Sequence, residues 1–171
     1  MSETRSIDTA ALGEYFSSRD DVIAAYLFGS HARGRAGPLS DVDVGVLLSG
    51  TPDVDRCFEA RLDITGGVMD VLHVNDVDVA VLNQVPLALR YRIFCDGVLL
   101  HCRDRRALVE FKARTVSQYL DFLPLIERHE RAIFERARRG ELFDGYNRHR
   151  GSLESYRRLR ARSKGEAEPV V

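Results

Sequence analysis

The sequence has no apolar run approaching the roughly 18 to 20 residues that cross a bilayer, and its opening, MSETRSIDTA, lacks the basic-then-apolar pattern of a secretory signal. Both absences point to a soluble, cytoplasmic chain with no membrane partner. Cysteine is scarce: Cys57, Cys95 and Cys102 are widely spaced and form neither a C-x-x-C pair nor a Cys/His zinc pattern. A disulfide scaffold and a structural zinc are therefore disfavoured, and the three are expected to be buried thiols. Internal repeats and low-complexity tracts are missing as well. Net charge is small, at −1, but unevenly spread: residues 1–125 hold 13 Lys/Arg against 18 Asp/Glu, and residues 126–164 hold 12 against 6. The basic C-terminal segment is thus the candidate partner surface, and direct nucleic-acid binding is left open.

At 171 residues with 44% hydrophobic content, the chain can close a packed core in one domain with a helical appendage. Residues 8–18 suggest a short amphipathic helix, and Val22–Phe28 a buried strand that Gly29 ends. Asp41–Leu48 is expected as a second strand. SGTPD turns into a helix over about Val54–Thr65, which Gly66-Gly67 should stop, and Val68–Val74 follows as a third strand. Pro86–Cys95 is expected to be helical, Val98–Cys102 an edge strand, and Arg105 to about Arg139 a helix interrupted at Pro124. Beyond Gly140 a weakly packed helix with a frayed end is expected. The fold class is α/β in the α+β sense: a small mixed β-sheet flanked by helices, with residues 1–104 as the main domain and 105–171 as a helical extension.

Side chains two apart on a strand share a face, so Asp41 and Asp43 stand together while Val42 and Val44 face the core. Paired carboxylates repel, and a hard cation with oxygen ligands, above all Mg²⁺, is the usual remedy. Asp70, alone in VMDVLHV, would complete a three-carboxylate cluster if its strand neighbours the second. Asp63, Asp76 and Asp78 are competitors, the first on the expected helix and the others beyond the expected strand. Upstream, Gly29-Ser30 can bring amides and a hydroxyl to phosphate oxygens, and Arg33 can add a bidentate contact. Arg90, Tyr91 and Arg92 form a polar cluster expected on a helix surface, and Tyr119, Leu120, Leu123 and Ile126 lie at the spacing of a packed helical face.

The arrangement Gly29-Ser30, ten residues, Asp41-Val42-Asp43 resembles the signature of polymerase-β-type nucleotidyltransferases. The intervening HARGRAGPLS resembles their ARG-x-x-x-x-x-S subtype. The small size makes the chain most similar to the MNT group, the minimal nucleotidyltransferases, whose members often act as antitoxins to HEPN ribonucleases. The resemblance covers about residues 20–125. It implies the nucleotidyltransferase fold, phosphate binding by Gly29 and Ser30 with Arg33 fitting the subtype, two Mg²⁺ ions on Asp41 and Asp43, and Asp70 as third carboxylate acting as ligand or general base.

The reaction it implies is transfer of AMP from ATP to a hydroxyl, with pyrophosphate leaving. The expected partner is a HEPN-type toxin in a heteromeric complex, adenylylated on a tyrosine. This chain is not itself expected to be the toxin, because Arg128-His129 and Arg148-His149 are adjacent pairs rather than an Arg and a His four to six residues apart. Two alternatives stand beside this one: an aminoglycoside-type nucleotidyltransferase acting on a small molecule, and a non-catalytic antitoxin acting by binding alone.

Overall fold

The computed structural model describes residues 7–37 and 40–141. Helix α1 (Thr9–Ser17) starts at Asp8, whose carboxylate accepts from the N–H groups of Ala10 and Ala11, satisfying two donors that a helix start leaves open. Strand β1 (Val22–Phe28) leads through the single turn α2 (Gly29–Ala32) to β2 (Val42–Leu48). Asp53 caps α3 (Val54–Leu72), which returns the chain to β3 (Val77–Val81). Helix α4 (Leu87–Asp96), strand β4 (Val98–Cys102) and helix α5 (Arg105–Arg138) complete the described part.

The four strands run in the order β3-β2-β1-β4. β1 is antiparallel to both β2 and β4, while β2 and β3 are parallel, so the sheet is mixed. A parallel neighbour needs a crossover, and α3 supplies it. Alternation along the strands divides the interior in two. Val42, Val44 and Val46 face one core with Leu12, Phe16, Ile64 and Val68 from α1 and α3. Leu47 faces the other, with Tyr26, Ile93, Phe94 and Leu108. The expected fold class and edge strand are therefore present.

The stretch from 66 to 81 corrects the sequence reading. Gly66-Gly67 does not stop α3, and Val68–Val74 is not a strand: the helix runs on to Leu72, and the strand lies nine residues later than expected, at Val77. Cys57, Ala60, Ile64 and Val68 recur at helical spacing and are all buried, so packing overrides the weak helix propensity of glycine. Gly67 has a packing reason, because a Cβ there would lie 2.2 Å from the Tyr15 hydroxyl oxygen. α3 ends instead at His73, in the left-handed conformation with φ 51°.

Three smaller expectations also change. All three cysteines are free, but only Cys57 is buried. Leu120 is exposed rather than packed, and Tyr119 stacks on Tyr91 with ring centroids 4.0 Å apart. The compact units divide after Phe122 rather than at 104/105, because Leu108 and Phe111 at the start of α5 belong to the second core. Helix α5 continues to Arg138 with Pro124 inside it, and its later part, from Leu123, belongs to the second unit. No helix among the described residues is long and apolar enough to cross a membrane. The segment expected to fray, beyond Gly140, lies outside the described residues except for Glu141.

Candidate active site

The sequence Asp41-Val42-Asp43-Val44 recurs as Asp76-Val77-Asp78-Val79, and the two copies lie side by side. In the parallel pairing of β2 with β3, Val42 faces Val77, Asp43 faces Asp78 and Val44 faces Val79. The Val42 N–H also donates to the Asp76 carbonyl at 3.0 Å. The valines of both copies enter the first core, which turns Asp43 and Asp78 to the opposite face on strands roughly 4.8 Å apart. Asp43 is half-buried, whereas Asp41 and Asp78 are exposed.

Gly29 explains the spacing of the motif. Phe28, the last residue of β1, pairs with Asp43, so the next residue lies beside the Asp43 side chain. A Cβ on Gly29 would stand 1.9 Å from Asp43 Oδ2 and 2.7 Å from its Cγ, and Gly29 has φ +72°. Only glycine meets both demands. The close approach expected of this glycine is thus made by a carboxylate of the same site. Ser30 follows Gly29 in the first turn of α2, and the loop behind is clasped by His31 Nε2 and the Ser40 carbonyl at 3.3 Å.

A matched pair of substitutions isolates this contact. Gly34 also has positive φ, +64°, but a Cβ there would meet nothing within 4 Å. Gly34→Ala is expected to cost about 1 kcal/mol, the backbone term alone, and Gly29→Ala about 3 kcal/mol, because Asp43 must move as well. Urea unfolding midpoints of the two variants measure the difference, and equal losses would refute the steric account.

The electrostatics agree with a crowded carboxylate site. Burial first, then Asp78, then Asp41, push the Asp43 carboxyl above its ordinary range, while His31 and Arg33 pull it down. Arg33 therefore acts on the site from the α2 turn. Arg61, reaching from α3, pairs its Nη2 with Asp78 Oδ1 at 2.9 Å.

Among the sequence-predicted site residues, Gly29, Ser30, Arg33, Asp41 and Asp43 gather at one end of the β1–β2 pair. Asp70 does not join them: it lies exposed on α3, a helix that covers the other face of the sheet. Asp78, ranked below Asp70 because it fell beyond the expected strand, is the carboxylate that faces Asp43, and Arg61 was missed. The duplicated DVDV was the available signal, since valines alternating at 77, 79 and 81 have strand periodicity.

The donor set fits a hard divalent cation. All the donors are carboxylate oxygens, and like charges crowd Asp43 in the way such an ion would relieve. Among the described residues no three His, Cys, Asp or Glu side chains form a ready-made cage. Bound Mg²⁺ ordinarily completes its shell with phosphate oxygens and water.

Residues 11–106 match the family model described as Polymerase beta, Nucleotidyltransferase. No curated protein sequence matches the chain. Among solved structures, one described as a toxin–antitoxin with AMP-PNP is 22% identical, with 75% of this chain and 97% of that one covered and a TM-score of 0.58. A second, tri-AMPylated HEPN toxin in complex with MNT antitoxin from Shewanella oneidensis, is 21% identical over 74% and 92% of the two chains, with a TM-score of 0.52. A third, the toxin–antitoxin MntA-HepT, is 21% identical over 74% and 93%, also at 0.52. At these identities the likeness carries the fold.

Proposed function

Because the chain belongs to the Polymerase beta nucleotidyltransferase family, we propose that it is an antitoxin that transfers AMP from ATP to a hydroxyl, a tyrosine, of a partner HEPN ribonuclease toxin and so silences it. The observation that carries this reading is the residue-for-residue alignment of Asp43 with Asp78 over Gly29. It builds a carboxylate site against the Gly-Ser turn. The similar folds of a chain crystallised with AMP-PNP and of one from an AMPylated toxin–antitoxin complex support the choice of donor and partner.

Asp41 and Asp43 would hold the metal ions, and Asp78 would serve as the general base, one of the two roles first expected of Asp70. Two Mg²⁺ ions at this place would neutralise triphosphate charge and activate the acceptor oxygen. Ser30, through its hydroxyl and backbone N–H, holds phosphate oxygens, and Arg33 adds positive charge beside them. The acceptor oxygen forms a bond to the α-phosphorus as the bond to the bridging oxygen breaks and pyrophosphate departs. Arg61 engages Oδ1 of Asp78, and Oδ2 takes the proton that the acceptor hydroxyl gives up.

Intact-mass analysis of the co-purified partner, incubated with this protein, Mg²⁺ and each nucleoside triphosphate in turn, tests the proposal. The partner is expected to gain AMP from ATP only. An unmodified partner that remains bound would replace catalysis with inhibition by binding. Transfer to aminoglycosides without any protein partner would move the chain to the small-molecule class.

A further inference from the structure

The sheet face that bears Asp43 leads to a second feature. About 16 Å further along β2, at roughly 3.3 Å per residue, an open cleft of about 490 Å³ lies between the end of that strand and helices α4 and α5. Leu47, Thr51, Asn83, Arg90, Phe111 and Arg114 are among its walls, all within the first compact unit. Its volume is that of a small-molecule site.

Arg90, expected on a helix surface, is turned inward. One of its Nη2 hydrogen bonds reaches the Val85 carbonyl at 3.2 Å, and a longer one reaches Asn83 at 3.5 Å. Its guanidinium carbon is 5.1 Å from the centroid of the Phe111 ring. Nε is buried and has no hydrogen-bond partner. None of the ion pairs among the described residues involves Arg90, and burial pulls its pKa down. A cation so placed lacks the anion that ordinarily accompanies it. Arg114 stands 5.9 Å from the same ring and likewise enters none of those ion pairs. Glu110, which also lines the cleft, is engaged by Arg106 at 3.1 Å.

We propose that this cleft is a binding site for a small organic anion, a carboxylate or phosphate on a short apolar or aromatic body. The anionic group lies between Arg90 and Arg114, whose guanidinium forks suit both oxyanions. The body rests against Leu47 and Phe111, and Thr51 and Asn83 supply neutral polar contacts. The site is distinct from the carboxylate cluster and independent of the nucleotidyl-transfer reading, because none of its residues belongs to that cluster.

The test follows the arginine Nε–Hε resonances of the full-length protein by ¹⁵N NMR during separate titrations with benzoate and phenyl phosphate to roughly 10 mM, where even weak sites fill. The Arg90 signal is identified as the one with contacts to the Phe111 ring that persists in Arg114→Gln, since Arg114 stands by the same ring. A saturable shift of that signal is expected. Arg114→Gln, at an exposed position, should keep the fold and weaken binding about tenfold, the effect of losing one charge-assisted hydrogen bond. A response to one probe alone supports the proposal and assigns the anionic group. An unmoved Arg90 signal, an equal shift with sodium chloride at matched ionic strength, or unchanged affinity in Arg114→Gln would overturn it.

Discussion

Asp43→Asn is expected to lower AMP transfer by roughly a thousandfold or more, while the metal-free protein melts at a higher temperature than wild type at pH 7. The loss follows from removing the central carboxylate of the site. Ligands of a catalytic cation support several kcal/mol of transition-state stabilisation, and each 1.36 kcal/mol is tenfold in rate. The gain has an electrostatic origin. Burial, Asp78 and Asp41 hold the folded-state pKa of Asp43 above the ordinary 3.8. A carboxyl raised on folding contributes its stability fully below the unfolded value and loses it as pH rises through the folded value. At pH 7 the ionised side chain therefore opposes folding, and a neutral amide of the same shape does not.

The sign of that effect is open to measurement. The difference in melting temperature between Asp43→Asn and wild type should shrink as pH falls towards 3.8 and persist at neutral pH without metal. Mg²⁺ should raise the melting temperature of wild type much more than that of the variant, since it binds the folded state through the missing charge. A variant that transfers AMP normally would remove Asp43 from the metal site. One that melts lower than wild type at pH 7 would show that the carboxylate is satisfied in the free protein.

What could be read from the sequence follows how local each signal is. β1, the Gly29-Ser30 turn and β2 were legible because a buried apolar run, a glycine and an alternating Asp-Val segment are local features with one physical reading each. The pairing of β1 with β2 then brings Asp43 over Gly29 without further information. β3 was illegible for a different reason. Gly66-Gly67 is an ordinary helix stop by propensity, and only the packing of Tyr15 against Gly67 and of Ile64 and Val68 in the first core extends the helix past it. Once α3 absorbs Val68–Leu72, the strand must come from the next alternating segment, and Asp78 rather than Asp70 faces Asp43. Arg90 shows the same limit: a polar cluster beside Pro86 has the look of a surface, whereas in the fold that arginine bonds the Val85 carbonyl and stands by Phe111 of α5.

The choice between the two aspartates gives the other large effect. Asp78→Asn is expected to reduce transfer by roughly a hundredfold or more, and Asp70→Asn to leave it within about twofold of wild type. Asp78 is the register partner of Asp43 and bears on its ionisation directly. Asp70 is exposed on α3, on the far side of a sheet whose core intervenes. Neither change removes a packed apolar group, so both variants should unfold within about 0.5 kcal/mol of wild type, as surface substitutions usually do. The one ion pair at stake, Arg61 with Asp78, is largely exposed on both sides and contributes little. Measured initial rates of AMP transfer under saturating ATP and Mg²⁺ separate the two positions. If Asp70→Asn proved the inactive variant, catalysis would require a different pairing of α3 and β3 from the one described, and the duplicated DVDV would lose its role. If both variants stayed active, Asp41 and Asp43 would suffice as the carboxylates of the site. Loss at Asp78 alone would make the second DVDV the missing third of the site, carried on a strand that the first DVDV selects by pairing with it.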